Sequence, residues 1–371
     1  MEPALTDDVP GRWSRFARNE AQHHSAVMVA WAEGVAADPQ LCELIASLPP
    51  RERQPNLVLA AARVVAPDLV DPHQTDARPD EYERLRTVLL DHWPEVAAIT
   101  ATRHTQTNEP ARLAAVLPAL HTLARRTGRE LALIEVGASA GLALHPSSWT
   151  FRYTSRDGAV LSEFGAANIT TPSQPTPSDP APSQPAPVIH VTVKDDPDAP
   201  PIELPTAVPP IMWRLGLDLN PLDPTNDAVA SWLRTLVWPG QSARLARLDA
   251  AIAAARDDRV LVLRHDLTDP TAIDEVLRLV PRDYLPVVMH GAVLAYLDEP
   301  AREAFAADMM ARVASGHLHW LSNEGQQVNP TVWRHLEDDP DFRSRLRKGS
   351  FIVSLDGRPL YQADGHATWL L

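Results

Sequence analysis

Cysteine is nearly missing from this chain: Cys42 stands alone in 371 residues, so neither a disulfide framework nor a thiolate zinc site can form. Lysine is almost as scarce, with only Lys194 and Lys348. The first follows a proline-rich stretch and the second lies in a basic turn, so a lysine Schiff base to pyridoxal phosphate is not expected. Basic charge is also in deficit. A net charge of -14, with no Arg/Lys cluster large enough to track phosphates, argues against nucleic acid as a partner. Long apolar runs are absent: nothing reaches the roughly eighteen residues that span a bilayer, and Met1 to Pro10 lacks the apolar core of a signal peptide. The expectation is a soluble, cytoplasmic protein with no membrane partner. Alanine, arginine and proline are abundant instead, which points to a GC-rich genome more than to a function.

Two kinds of pattern divide the chain. From Arg12 to about Arg126, apolar residues such as Val27, Trp31 and Val35 recur at three- and four-residue spacings. Prolines at 39, 49, 50, 55, 67, 72, 79, 94 and 110 cut this stretch into short helices. The reading is an all-helical N-terminal subdomain, 1–126, acting as a cap or lid. From Leu131 onward, leucine-rich and β-branched runs alternate with amphipathic stretches, as in the βαβ units of an open parallel sheet. The expected strands are 131–136, 211–218, 259–265, 285–291, 317–322, 350–355 and 359–362. Crossover helices are expected at 227–237, 242–256, 272–279 and 299–314. An insertion at about 145–210 contains two further strands, 151–153 and 189–193, read as an added hairpin. They flank 170–187, a Pro/Ser/Gln/Thr stretch too polar to order itself and expected to be a flexible loop. Domain 127–371 is thus expected to be a Rossmann-like open sheet.

The chemistry concentrates where strands end. Leu131 to Val136 is an apolar strand closing on Glu135, followed by Gly137-Ala138-Ser139-Ala140-Gly141. Glycine there permits positive φ and close approach of a ligand. Glu-x-Gly-x-x-x-Gly is nearer to the S-adenosylmethionine loop of class I methyltransferases than to the Gly-x-Gly-x-x-Gly of dinucleotide enzymes, because Ser139 replaces the central glycine. A tight strand-to-helix turn with no ligand is the competing explanation. Downstream, Gly216-Leu217-Asp218-Leu219-Asn220-Pro221 places an acid where the second strand of such folds holds both ribose hydroxyls. Asp218 as an Asx-turn before Pro221 is the alternative. Asp266, closing Val260 to His265, occupies the position expected beside an adenine amino group. Three matches in the right order favour a nucleotide site over unrelated turns.

Five segments together resemble a bacterial family, domain of unknown function 2332, over nearly the whole length. They are Arg53-Gln54-Pro55-Asn56-Leu57, Thr102 to Glu109, Glu135 to Leu142, Gly216 to Asp223 and Met289 to Leu297. The resemblance implies a class I methyltransferase-like domain and a nucleotide ligand, not a particular reaction. The chain departs from the family pattern at Ala143 and Ser147-Ser148, where an asparagine and then an acid are expected. It also departs at Arg63, where relatives tend to carry histidine.

Candidate catalytic residues are His290, Glu324 and Glu109. His290 ends the fourth strand, at the edge where parallel sheets place reactive groups, and histidine can serve as a base near neutral pH. A strand-end histidine bonded to a backbone carbonyl is the plainer reading. The candidate ligand-binding set is Arg103, Gln106, Asn108, Glu135, Gly137, Ser139, Gly141, Asp218, Asn220 and Asp266. In the polar segment before Pro110, Asn108 as a helix cap with Glu109 in the first turn is the structural alternative. Its functional reading is a cap over the ligand, with Arg103 or Arg112 pairing a carboxylate. His317 and His319 share a strand face but lack a third ligand at metal spacing, so no metal is expected.

The function expected is an S-adenosylmethionine-using enzyme transferring methyl to a small molecule. A second possibility is lyase or cyclase chemistry: intramolecular displacement at the γ carbon, releasing methylthioadenosine and forming a cyclic amino acid such as 1-aminocyclopropane-1-carboxylate or an azetidine. A third is a non-catalytic nucleotide-binding protein. A nicotinamide enzyme fits less well because the third glycine is missing. An oligomer is left open by the sequence.

Overall fold

The computed structural model describes residues 8–106, 108–166 and 187–371. These residues divide into two compact units. The first holds those before Asn108 together with Asn226–Asp249, and the second holds Asn108–Thr225 and Ala250–Leu371.

The first unit is helical. Its prolines open helices rather than break them: Pro39–Ala46, Pro55–Val65 and Trp93–Thr102 all carry proline in their first two positions, where the missing N–H has no partner to lose. Asp38 caps Pro39–Ala46 by accepting from the backbone N–H of Gln40 and Leu41 at 2.9 and 3.3 Å. Trp13, Trp31, Val35, Leu41, Ile45, Leu59 and Leu85 form the core of this unit. The helix Asp227–Leu236, expected as a sheet crossover, belongs here instead. Its Trp232 is buried against Leu57 and Ala60. Arg63 donates to the carbonyls of Thr235 and Val237 at 2.7 and 2.8 Å, pairing oxygens that a helix end leaves open. A physical task is thereby found for the residue at which the chain departs from the family pattern.

The second unit is mixed α/β, built on an 11-stranded, mostly parallel sheet. In chain order the strands are β1 (Leu131–Val136), β2 (Thr150–Thr154), β3 (Val160–Gly165), β4 (Val188–Val193), β5 (Ile211–Asp218), β6 (Val262–Arg264), β7 (Leu285–Gly291), β8 (His319–Gly325), β9 (Phe351–Leu355), β10 (Arg358–Ala363) and β11 (Trp369–Leu370). Their spatial order is β3-β2-β4-β11-β10-β9-β8-β7-β1-β5-β6. From β1 the chain steps outward through β5 to β6 on one side, then returns to build β7 and β8 on the other, all parallel. The order therefore reverses between β1 and β7, and such a reversal opens a crevice beyond the carboxyl ends of the strands.

Several expectations need correcting. Segments 151–153 and 189–193 are not the two arms of a hairpin: β2 and β4 run parallel, with Phe151 opposite Ile189. The antiparallel partner of β2 is β3, which the alternation rule missed because Val160 and Leu161 are exposed. The strand expected at 317–322 runs His319–Gly325, which brings Asn323 and Glu324 inside it. The helix Leu113–Thr127 belongs to the sheet unit, not to the helical one. Its apolar residues from Leu113 to Leu120, with Leu123 and Ala124, are buried, and the hydroxyls of Tyr153 and Tyr361 donate to its Ala114 and Ala115 carbonyls at 2.8 and 2.7 Å. Nearly all of 170–187, the proline-rich stretch, lies outside the described residues. No helix among the described residues is long and apolar enough to cross a membrane.

Pleat alternation sorts the sheet residues onto two faces. Ile134, Val136, Val288 and Trp320 pack against Phe305, Ala306 and Met309 of the helix Glu299–Ala314. Glu135 and Asn323, one position out of phase, take the opposite face. Tyr361, opposite Val353 and so in line with Asn323, reaches Leu113–Thr127 from that same face.

Candidate active site

The loop after β1 is shaped by close approaches. Gly137, Ser139 and Gly141 have φ of +75°, +53° and +68°, the left-handed region that costs a side-chain-bearing residue about 1–2 kcal/mol. A Cβ at Gly137 would also fall 2.5 Å from Val293 Cγ2, so glycine is required there twice over. The N–H groups of Gly137 and Ala138 donate to the Leu217 carbonyl at 2.8 and 3.0 Å, folding the loop over the end of β5. A Cβ at Gly216 would lie 2.7 Å from that of Ala138.

Asp218, at the end of β5, holds this loop. Its Oδ2 accepts from the Ser139 N–H at 2.8 Å and its Oδ1 from the Asn220 N–H at 2.7 Å. Asn108 holds it from the other side. The amide Nδ2 donates to Ser139 Oγ at 3.0 Å, and Oδ1 accepts from the Ala140 N–H at 3.3 Å. Capping falls to the next residue: Glu109 Oε1 accepts from the Ala111 N–H at 3.1 Å, and Pro110 opens the short 3-10 turn Pro110–Arg112.

Glu135 lies between Gly216 and Met289 in the register. Its Oε2 is buried with no hydrogen-bond partner among the described residues. Loss of water pushes the carboxyl up to about 8, against the pull of the Arg112 charge and with the push of Asp218. Arg112 donates from Nε to the Gly365 carbonyl at 2.9 Å, and its guanidinium lies 6.0 Å from the Phe351 ring centre. Burial lowers its pKa, while Glu109, Glu324, Tyr296 and Glu135 lie near enough to oppose that shift.

His290 is withdrawn from solvent. The Trp320 indole N–H, which can only donate, reaches His290 Nε2 at 2.9 Å, so Nδ1 carries the proton and donates to Glu324 Oε1 at 2.8 Å. Both ring nitrogens are therefore engaged in the core and no lone pair faces a ligand. The expectation that His290 is a base gives way to a positioning role, holding Glu324. That same Glu324 oxygen also accepts from the N–H groups of Val293 and Leu294 at 3.0 and 3.2 Å. Its Oε2 is buried without a partner among the described residues.

Asp266 is exposed, and its Oδ1 accepts from the N–H and hydroxyl of Thr268 at 2.9 and 2.8 Å, an Asx-type turn. Arg103 and Gln106 belong to the first unit. There the Arg103 guanidinium lies 5.7 Å from the Trp232 ring, whose N–H donates to the His104 carbonyl at 3.1 Å. His319 pairs with Asp356 at 2.8 Å. Among the described residues no group of three or more His, Cys, Asp or Glu is placed to hold a metal ion.

A family model described as "Uncharacterized protein conserved in bacteria (DUF2332)" matches residues 11–370. The chain belongs to the DUF2332 family. A comparison with curated proteins found no match. In this DUF2332 chain the sequence reading passed over one residue of the sheet edge, Asn323. It is 1 % exposed, and neither Oδ1 nor Nδ2 has a partner among the described residues. The available signal was an amide inside the apolar strand that begins His319-Trp320-Leu321.

Proposed function

We propose that this DUF2332 chain is an S-adenosylmethionine-using enzyme of the cytoplasm that transfers a methyl group to a small molecule, through a class I methyltransferase-like domain. One observation carries the reading. At the point where the strand order reverses, a glycine loop with three residues at positive φ is tied by its Ser139 N–H to Asp218, at the end of the neighbouring strand. Asp218 accepts from the Ser139 N–H through Oδ2 and from the Asn220 N–H through Oδ1, and a carboxylate at this strand end is the group type that accepts from ribose hydroxyls. Leu219, 57 % exposed beside it, offers apolar surface for a base. The unpartnered Glu135 oxygen provides an acceptor for the amino-acid end of the ligand.

When bound, S-adenosylmethionine supplies a sulfonium whose attached carbons are open to nucleophilic displacement. The protein's part is to align the nucleophile and to hold or move one proton. Glu135, with its carboxyl at about 8, is suited to exchange a proton near neutral pH.

A second reading, ring closure at the γ carbon with release of methylthioadenosine, is favoured by a specific arrangement. His290 leaves no lone pair for an external acceptor, whereas Glu135 and Arg112 place a desolvated base and a guanidinium in electrostatic reach of each other. Purified protein incubated with S-adenosylmethionine alone, followed by mass spectrometry beside a calorimetric titration, separates the readings. Binding without turnover until an acceptor is added, then S-adenosylhomocysteine, is the expected result. Methylthioadenosine with no acceptor present selects ring closure. Tight binding with no product under either condition leaves a non-catalytic binder, and no binding sinks the nucleotide reading.

A further inference from the structure

We infer that the second unit carries a subsite for an α-amino carboxylate, formed by Asn323, Arg112 and Glu135 around the bare backbone of Gly291. The inference rests on the S-adenosylmethionine reading and assigns the groups that take the amino-acid end of that ligand.

Asn323 is the starting point. A buried amide with both ends unpaired is costly, and natural structures rarely keep one without a use. Valine or leucine would fill the same strand position without that cost. The side chain offers one acceptor and two donors, which suits a ligand bearing both a carboxylate and an ammonium group.

Gly291 supplies the space. It faces Asn323 across the β7–β8 ladder and is absent from the residues with positive φ. A Cβ there would meet only the Asn323 carbonyl at 3.4 Å and its Cβ at 3.9 Å, ordinary contacts. Neither conformation nor packing demands glycine at this position, unlike Gly137. What glycine does is leave no side chain beside the Asn323 amide.

The charged partners share that face. Phe351, over which the Arg112 guanidinium lies, pairs with Gly325, two residues beyond Asn323 and on the same side of the pleat. Only Nε of Arg112 is engaged, on the Gly365 carbonyl. Its two terminal nitrogens have no partner among the described residues and present a fork for a carboxylate. Glu135 lies on the same face two strands away, with Oε2 unpartnered. The carboxylate is taken by Arg112 and Asn323 Nδ2, and the ammonium by Asn323 Oδ1 and Glu135.

The test titrates the full-length protein with S-adenosylmethionine, its decarboxylated form and methylthioadenosine, using wild type, Asn323→Leu, Arg112→Met and Arg112→Lys. Losing a charge-assisted pair should weaken S-adenosylmethionine binding about 100-fold in Arg112→Met and about tenfold in Asn323→Leu, with partial recovery in Arg112→Lys. Methylthioadenosine affinity should stay within about twofold throughout, and the decarboxylated ligand should bind wild type as weakly as S-adenosylmethionine binds Arg112→Met. Asn323→Leu should also raise the melting temperature, because it removes an unpaired buried amide. Retained methylthioadenosine binding with unchanged S-adenosylmethionine affinity in the variants overturns the subsite and leaves the nucleotide reading standing. No binding of any ligand to wild type overturns both. A lower melting temperature for Asn323→Leu means that the amide serves the fold, and the inference fails.

Discussion

A carboxyl group that loses its water on burial keeps its proton to higher pH, and Glu135 does so up to about 8. The folded chain therefore binds this proton more tightly than the unfolded chain does. Its contribution to stability is fully present below the ordinary glutamate range and is lost as pH rises through about 8. Replacing Glu135 by Gln removes the titration and should flatten the decline of melting temperature across that window. If the variant and wild type decline in parallel, the carboxyl does not titrate there and its role as a proton carrier falls with it. At this scale the sequence was informative about residue types: Glu135, Asp218 and the three small-loop positions stood out by spacing alone. It was silent on Asn323 and did not choose between Arg103 and Arg112, because whether a polar atom finds a partner is decided by neighbours distant in the chain, as Gly365 is for Arg112.

At the scale of elements, strand ends decide what a residue can do. His290 and Glu324 close adjacent strands, and the register sets His290 beside Ser322, with Trp320 within reach of its ring. A base read from the end of one strand becomes a core histidine once the next strand is laid against it. His290→Leu should leave the Trp320 indole N–H without an acceptor and take one of three donors from Glu324 Oε1, costing roughly 2–4 kcal/mol of stability. Urea unfolding measures this. A variant of unchanged stability that loses turnover would return His290 to the chemistry. Strands such as β1 and β7 were legible because they are continuous apolar runs buried on both faces. The parallel pairing of β2 with β4 was not, because local alternation carries no information on partner or direction. Asn108 shows the same limit: its side chain suits a cap, yet the glycine loop brought beside it supplies better-placed partners.

For the whole molecule, the two units are discontinuous in sequence, since 226–249 belongs to the helical unit although sheet residues flank it on both sides. The helix Asp227–Leu236 buries Trp232 against Leu57 and Ala60. A fragment comprising 108–371 keeps that helix but loses its partners, so it should expose apolar surface, bind a hydrophobic dye and self-associate. A monomeric fragment with no dye binding would show that the helix is covered by something other than the first unit's core. This division also separates the sequence candidates: Arg103 and Gln106 fall in the helical unit, while Asn108 through Glu324 belong to the sheet unit.

What the sequence determined by itself is whatever depends on short-range pattern. That covers a helical first part, an α/β second part, a glycine loop after β1 and an acid after β5, because periodicity and backbone conformation act over a few residues. What only the tertiary structure decided is which polar groups remain unpaired: His290 is consumed by Trp320 and Glu324, whereas Glu135, Asn323 and the terminal nitrogens of Arg112 are left open. Pairing depends on register and on burial, and both are set by contacts between segments far apart in the chain.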